Sequence, residues 1–144
     1  MEELPHIYVT TARTPATGNV ELSAPGLPSL SSAAPPEFGG PGDVWSPETL
    51  LTAAVADCFV LGFRAIARAS KLEWEHLECE VKGKLDRVEK EMKFTRFDLK
   101  VHLKAPGAEE ARAMRILERA EKTCLITNSL NAEIHLDASV TTSG

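Results

Sequence analysis

The sequence predicts an α+β domain in which strands pack against two long helices. Residues 77–85 and 97–104 alternate apolar and charged side chains at every second position, which is typical of antiparallel strands with one solvent-exposed face. Residues 47–70 and 108–123 instead carry apolar residues at helical spacing. With two β-rich segments before the first helix and one after the second, the order is ββ-α-ββ-α-β, which favours a sheet packed on helices.

The N-terminal third begins with a predicted hairpin. Residues 6–13 and 19–23 are rich in β-formers, and a turn at residues 15–19 can join them. Residues 24–45 are dense in Pro, Gly and Ser and are expected to form a long loop, which in a compact domain is usually functional or mobile. The chain of 144 residues shows no internal repeat and fits a single domain over residues 1–144.

A clear helix start follows this loop. Ser46 is a good N-cap, Pro47 fits the first helical position, and Glu48 complements the positive end of the helix dipole. The helix is expected to end near Ser70. Its first half is apolar on nearly every side, which predicts a helix that is buried on most of its faces.

The second half of the chain contains the remaining elements. Residues 86–93 are expected to connect the two alternating strands, and the amphipathic helix over residues 108–123 brings Cys124 to its core side. Residues 127–131 are predicted to form a turn or short helix before a last strand over residues 133–140. The inner face of that strand is predicted to carry Ile134, Leu136, Ala138 and Val140.

The composition excludes several classes of protein. A net charge of −5 gives no electrostatic basis for binding nucleic acid or an anionic membrane. The acidic N-terminus lacks a signal-peptide pattern, so a cytoplasmic location is expected. The apolar run over residues 50–66 is broken by Asp57 and Arg64, and we expect it to be too short and too interrupted to span a bilayer. Neither zinc-ligand spacing nor a phosphate-binding glycine loop is present in the sequence.

The cysteines are the most informative residues. Cys58 and Cys124 each lie on the apolar part of a predicted helix, whereas Cys79 occupies an inner strand position and is expected to be a core residue. Both helix-associated thiols can be inert core residues or a reactive pair. Cys58 lies about 15 Å along the helix from Glu48 at ~1.5 Å per residue, so the helix start can do little to ionise its thiol. A reactive Cys58 therefore needs a cation, and arginine is suited to that role.

Two motifs resemble signatures of the OsmC/Ohr family, named for osmotically inducible protein C and organic hydroperoxide resistance protein. The first runs from Gly39 to Phe59, with Ser-Pro-Glu opening a helix and Cys58 ten residues after Glu48. The second is Cys124 followed by Asn128-Ser129-Leu130. The resemblance covers essentially the whole chain. It implies antiparallel sheets wrapped around two long helices in an intertwined homodimer.

The resemblance also implies a thiol-dependent peroxidase of the stress response that acts on organic hydroperoxides. Cys58 would attack the peroxide and become a sulfenic acid, and Cys124 would resolve it as a redox-active disulfide. An external dithiol, lipoyl-type in the better-known branch, would then reduce the pair. The family needs no metal, haem or flavin cofactor.

Members of the family pair the peroxidatic thiol with an arginine and the glutamate at the helix start. Glu48 matches that glutamate. One branch places the arginine near Phe38, where this chain has none, and another places it near the N-terminal hairpin, where Arg13 is available. We therefore expect Arg13 to be the activating cation, with the site built across the dimer or through an arginine bridge. Arg64 and Arg96 are weaker candidates.

Two departures from the family pattern leave alternatives open. Leu125 stands where proline usually follows the second cysteine, and Asp57 stands beside Cys58 where a small residue is common. Adjacent helix positions do not face each other, so Asp57 is expected to point away from Cys58. These departures suggest an OsmC-like branch. A non-catalytic dimer that binds a hydrophobic ligand or senses redox state, and a structural dimer with inert cysteines, are the competing hypotheses.

Overall fold

The computed structural model describes residues 2–144 and has the predicted α+β class, with two sheets and long helices. The chain divides into two compact units, one ending at Leu50 and the other running from Leu51 to Gly144. The boundary lies inside the first long helix, so the expectation of a single domain stays a prediction. Each unit is described by itself below.

The N-terminal unit contains a three-stranded antiparallel sheet in the order β1-β2-β3. The predicted hairpin is confirmed, although its strands are shorter than predicted. The third strand lies inside the segment that we expected to be a loop, so that expectation was wrong for these residues. A strand of only three residues is too short to show an alternating pattern of apolar and polar side chains in the sequence. Its pairing with β2 stabilises it. The strands are β1 Thr11–Arg13, β2 Val20–Ser23 and β3 Leu30–Ser32.

Helix α1, Pro47–Ala69, begins where the sequence predicts. The Ser46 hydroxyl accepts a hydrogen bond from the backbone N–H of Thr49 at 3.1 Å, which confirms the N-cap. Only one stripe of the helix is fully buried, at every fourth residue, whereas Leu61 is 50% exposed. The prediction of burial on most faces was therefore wrong for this chain, because the other elements cover one side only. The buried stripe consists of Val55, Phe59, Phe63 and Ala67.

The length of α1 also corrects an expectation about membranes. The helix has 23 residues, and its most apolar stretch of 18 residues has a mean hydropathy of 1.8. Length and composition alone would therefore allow it to cross a bilayer. From the sequence we expected the apolar run to be too short and too interrupted for that. One such helix is weak evidence for a membrane protein, since the core helix of a soluble protein has the same properties.

The C-terminal unit contains a second sheet in the order β4-β5-β6. Strands β4, His76–Val88, and β5, Glu91–Lys104, form one long antiparallel hairpin. Its turn is confined to two residues, with Glu89 in a left-handed conformation at φ 59°. The predicted connection over residues 86–93 was therefore mostly wrong. These residues are charged on both faces because the end of the hairpin is exposed, so they show no alternation.

Strand β6, Glu133–Thr141, pairs with β5 in parallel. This differs from the all-antiparallel arrangement expected from the sequence. A parallel pair needs a long crossover connection, and helices α2, Glu110–Lys122, and α3, Leu125–Asn128, lie between the two strands. The inner face of the sheet is the one predicted, with Phe97, Leu99, Val101 and Leu103 buried on β5.

The core of the C-terminal unit brings the buried stripe of α1 together with β5 and α2. Phe63 meets the ring of Trp74 edge to face, with ring centroids 5.2 Å apart. The Arg112 guanidinium of α2 donates a hydrogen bond to the carbonyl of Ser70, just past the end of α1. These contacts fix α1 against the rest of the unit and thereby fix the position of Cys58.

Candidate active site

The fold brings Cys58 and Cys124 together. Cys58 lies in the middle of α1 and is half-buried, and Cys124 lies between α2 and α3 with 4% of its surface exposed. The two side chains interact with each other, and both are free thiols. A cysteine of α1 and the cysteine at the junction of α2 and α3 therefore lie next to each other, and their roles as attacking and resolving thiols stay a prediction.

Three influences set the pKa of the Cys58 thiol. Burial has the largest effect and raises the pKa, and the neighbouring Cys124 raises it further through hydrogen bonding and charge. The backbone N–H groups of Ile126 and Leu125 act in the opposite direction and lower it. The net result is a pKa above the ordinary cysteine value. The thiolate of Cys58 is thus disfavoured by its surroundings in the single chain, apart from these two backbone donors.

Cys124 is held by backbone hydrogen bonds on both sides. Its N–H donates to the carbonyl of Glu121 at 3.3 Å, and its own carbonyl accepts the N–H of Asn128 at 3.0 Å. The buried hydroxyl of Thr127 donates to the same carbonyl at 3.2 Å. The second sulfur is therefore fixed at the junction of two helices.

Cys79 also lies close enough to Cys124 for the charge of Cys124 to affect its pKa. It occupies the inner face of β4, opposite Val101 of β5, and is half-buried. Burial, and to a smaller extent Cys124, raises the pKa of Cys79 to about 11. Its thiol is therefore protonated at neutral pH, in keeping with the core role expected for it. The alternating pattern of this strand does not indicate that Cys79 lies near Cys124.

The two charged residues assigned to the site belong to the N-terminal unit. Arg13 is exposed on β1, opposite Glu21 of β2. Glu48 lies in the first turn of α1, and its Oε1 atom is shielded from solvent. The roles of Arg13 and Glu48 remain predictions.

The weaker arginine candidates and Asp57 lie outside this arrangement. Arg64 is exposed on α1. Arg96 donates through Nε to the carboxylate of Asp98 at 2.8 Å. Asp57 is exposed although its neighbour Cys58 is half-buried, as expected for adjacent helix positions. Within residues 2–144, no group of three or more His, Cys, Asp or Glu residues could hold a metal ion.

Sequence reasoning missed the two backbone donors at Leu125 and Ile126. Cys58 does lie far from the start of its own helix, as predicted, but it lies near the start of α3. The pattern of side chains cannot reveal which backbone groups face a given residue. A short helix directly after a cysteine was the available indication, because the first N–H groups of any helix have no partner within it.

Comparison with known proteins identifies the family of the chain. The family model described as OsmC-like protein matches residues 40–139. The uncharacterized protein YmaD of Bacillus subtilis is 29% identical over 120 residues, which cover 79% of this chain and 80% of that protein.

Solved structures share the fold. An OsmC-like protein of unknown function from Vibrio cholerae superposes with a TM-score of 0.86 at 16% identity, covering 94% of this chain and 100% of that one. An organic hydroperoxide resistance protein OsmC from Legionella pneumophila, described as a predicted redox protein, reaches a TM-score of 0.79 at 28% identity, covering 96% and 100%. On the match to the family model, this chain belongs to the OsmC-like family.

Proposed function

We propose that this protein is a cysteine-based peroxidase that reduces organic hydroperoxides. The observation that carries the proposal is the interaction of the Cys58 thiol in α1 with the Cys124 thiol at the junction of α2 and α3. The relative from Legionella pneumophila is named as a hydroperoxide resistance protein, which supports the same chemistry. We further propose that the protein acts in the cytoplasm.

In the proposed reaction, the Cys58 thiolate attacks the terminal oxygen of the hydroperoxide. A sulfur–oxygen bond forms, the O–O bond breaks, and the alkoxide leaves as an alcohol after taking a proton. The Cys124 sulfur then attacks Cys58, forming the disulfide and releasing water. An external dithiol reduces this disulfide by two successive exchange steps and is itself oxidised to a disulfide. Two electrons pass from the dithiol to the peroxide, and no metal or organic cofactor takes part.

The partial exposure of Cys58 and the burial of Cys124 suit these two roles. A peroxide must reach the attacking sulfur, whereas the resolving sulfur needs only to reach its neighbour. Arg13 would supply the cation that stabilises the thiolate, and Glu48 would orient that arginine. Such a cation would counteract the burial and the neighbouring thiol, which raise the Cys58 pKa in the single chain.

A homodimer is part of the proposal. Apolar side chains remain uncovered both on α1, at Leu61, and in the N-terminal segment, at Ile7, Tyr8 and Val9. The three N-terminal residues are 84%, 85% and 61% exposed. Apolar surfaces of this kind commonly mark association sites. We propose that a second copy of the chain covers them and that the complete site forms in that dimer.

The experiment is a peroxide-consumption assay with cumene hydroperoxide and dihydrolipoamide. Wild type should turn over, Cys58→Ser should consume no peroxide above the uncatalysed rate, and Cys124→Ser should form a sulfenic acid without completing the dithiol cycle. Absence of turnover by wild type would reject the enzyme proposal. Turnover that survives in Cys58→Ser would reject the assignment of the attacking residue.

The raised pKa of Cys58 favours a second candidate function. A thiol that is mostly protonated reacts slowly, which suits a protein that binds a hydrophobic ligand or senses redox state. The two functions differ in rate. A sensor would form the Cys58–Cys124 disulfide stoichiometrically and slowly without catalytic turnover, so stopped-flow oxidation by cumene hydroperoxide, followed by multiple-turnover assays, distinguishes them.

A further inference from the structure

The junction that carries Cys124 is short of regular structure. Lys122 is the last residue of α2, Cys124 directly precedes α3, and α3 has only four residues. A helix of about one turn is not stable by itself, because its few backbone bonds do not offset the entropy lost when its residues become ordered. The position of this segment therefore depends on bonds to the chain beside it.

Two residues of α3 supply such bonds. The hydroxyl of Thr127 donates to the carbonyl of Cys124 at 3.2 Å. The side-chain amide of Asn128 donates to the carbonyl of Lys122 at 3.3 Å, and the backbone N–H of Asn128 donates to the carbonyl of Cys124 at 3.0 Å. Hydrogen bonds from these two residues therefore join α3 to the end of α2 across the cysteine.

The two side chains differ in burial. Thr127 is 6% exposed, whereas Asn128 is exposed to solvent. A buried hydroxyl is costly without a hydrogen-bond partner, and water does not compete for it there. The bond from Thr127 is therefore kept, while water can replace the acceptor of the Asn128 amide. Of the two residues, Thr127 constrains the backbone of Cys124 more strongly.

We propose that Thr127 and Asn128 are positioning residues that hold Cys124 ready to form a disulfide with Cys58. This inference rests on the proposed function, in which the Cys124 sulfur attacks the oxidised Cys58. Cys58 lies inside a helix of 23 residues, whereas Cys124 has non-helical φ and ψ of −67° and 113°. The freedom of the pair thus lies mainly on the Cys124 side. Restricting it in advance raises the effective concentration of one thiol at the other.

Equilibration of the full-length protein with reduced and oxidised glutathione measures this positioning without peroxide. The Cys58 and Cys124 thiols lose two electrons and two protons and form a disulfide, while one oxidised glutathione takes them up and becomes two reduced glutathione molecules. Acid quenching, alkylation and peptide mass spectrometry give the fraction of the Cys58–Cys124 disulfide. A residue that only stabilises the fold affects the reduced and oxidised proteins alike, so its loss leaves this equilibrium constant unchanged.

Thr127→Val deletes the hydroxyl and keeps the branched shape of the side chain, and the Cys124 carbonyl retains the N–H of Asn128 as a donor. Its equilibrium constant for disulfide formation should be roughly three- to tenfold below that of wild type. Thr123→Val is the matched control, because it deletes a similar bond, from the Thr123 hydroxyl to the carbonyl of Arg119 at 2.8 Å, one residue before Cys124. Thr123→Val should give the wild-type constant, and so should Thr127→Ser, which keeps the hydroxyl.

Equal constants in Thr127→Val and Thr123→Val would overturn the proposal, and so would a decrease in Thr127→Ser as large as that in Thr127→Val. If Thr127→Val fails to fold, Asn128→Ala removes the exposed amide and its bond to the Lys122 carbonyl. A lower constant is expected there too, and a constant equal to that of Thr123→Val would refute the inference. The glutathione equilibrium needs no peroxidase activity, so failure of this inference and failure of the proposed function are separately visible.

Discussion

The thiol of Cys58 in the middle of α1 interacts with the thiol of Cys124 at the junction of α2 and α3. This contact brings a half-buried sulfur next to a buried one. It has two opposite effects on the proposed chemistry. Proximity favours formation of a disulfide, whereas the presence of Cys124 raises the pKa of Cys58 and lowers the fraction of thiolate.

Removal of the second thiol should therefore make the first one more acidic. In Cys124→Ala, the hydrogen bond and the charge that raise the pKa of Cys58 are lost, so the pKa should fall. The pH profile of Cys58 alkylation should shift to lower pH, with faster alkylation at pH 7. Cys79→Ala is the control and should leave the pH profile of Cys58 alkylation unchanged. A Cys124→Ala profile that coincides with the Cys79→Ala profile would contradict the prediction.

Cys79 should make stability fall at alkaline pH. Its pKa is raised to about 11 in the folded chain, against an ordinary value of 9.0, so the unfolded chain loses this proton first as pH rises. Between about pH 9 and pH 11, the unfolded state binds fewer protons than the folded state does. The free energy of unfolding therefore decreases as pH rises. The loss is below ~3 kcal/mol, because one pKa unit corresponds to about 1.4 kcal/mol and the group is not fully buried.

Urea unfolding of wild type and Cys79→Ala at pH 8 and pH 10.5 measures this effect. The alanine variant lacks the titrating group, so the stability difference between the two proteins should move in its favour at the higher pH. An unchanged difference would show that Cys79 titrates alike in both states. Both proteins need a reductant at each pH so that no disulfide contributes.

The helices were predictable from the sequence because their signals are local. Ser46-Pro47-Glu48 defined the start of α1 through capping, and the apolar spacing defined its length. The alternating residues of β5 identified its buried face correctly. An alternating pattern does not reveal strand direction, however, because successive side chains point to opposite faces in parallel and antiparallel strands alike. The parallel pairing of β6 with β5 was therefore missed.

The site was predictable only in part, for a similar reason. Cys58 and Cys124 were identifiable because their motifs consist of side chains. The donors at Leu125 and Ile126 are backbone groups, which every residue except proline possesses, so no residue type marks them. The proximity of Cys79 to Cys124 depends on how β4 packs, which a period of two residues does not specify.

Two glycines of the C-terminal unit should respond oppositely to alanine. A Cβ atom at Gly83 of β4 would lie 2.9 Å from Phe97 and 3.1 Å from both Phe94 and Thr52, whereas one at Gly62 of α1 would meet nothing within 4 Å. Gly83→Ala should lower the free energy of unfolding by about 1–3 kcal/mol through overpacking. Gly62→Ala should raise it by roughly 0.5–1 kcal/mol, because glycine is a poor helix former.

Urea denaturation of both variants at one pH and protein concentration measures these two changes. Because the proposed homodimer would make stability depend on concentration, each comparison is repeated at two concentrations. Equal destabilisation by both substitutions would mean that α1 is covered at Gly62 by a partner. A neutral Gly83→Ala would mean that the ring of Phe97 moves aside at no cost.

Loss of the charge at Arg13 should slow the proposed reaction. If this exposed arginine supplies the cation near Cys58, then Arg13→Gln should raise the Cys58 pKa and lower kcat/KM by roughly tenfold or more. Arg13→Lys keeps the charge but loses the planar guanidinium group, so its activity should lie between those of wild type and Arg13→Gln. Arg115→Gln, an exposed position on α2, is the control for removal of a positive charge.

The pH dependence distinguishes this role from a merely structural one. When the cation is absent, the activity of Arg13→Gln should recover as pH rises, because the thiol then ionises without assistance. A structural defect would lower activity by the same factor at every pH. If kcat/KM and its pH profile in Arg13→Gln match those of Arg115→Gln, the activating cation is another residue. Arg64→Gln and Arg96→Gln, measured in the same assay, would then identify it.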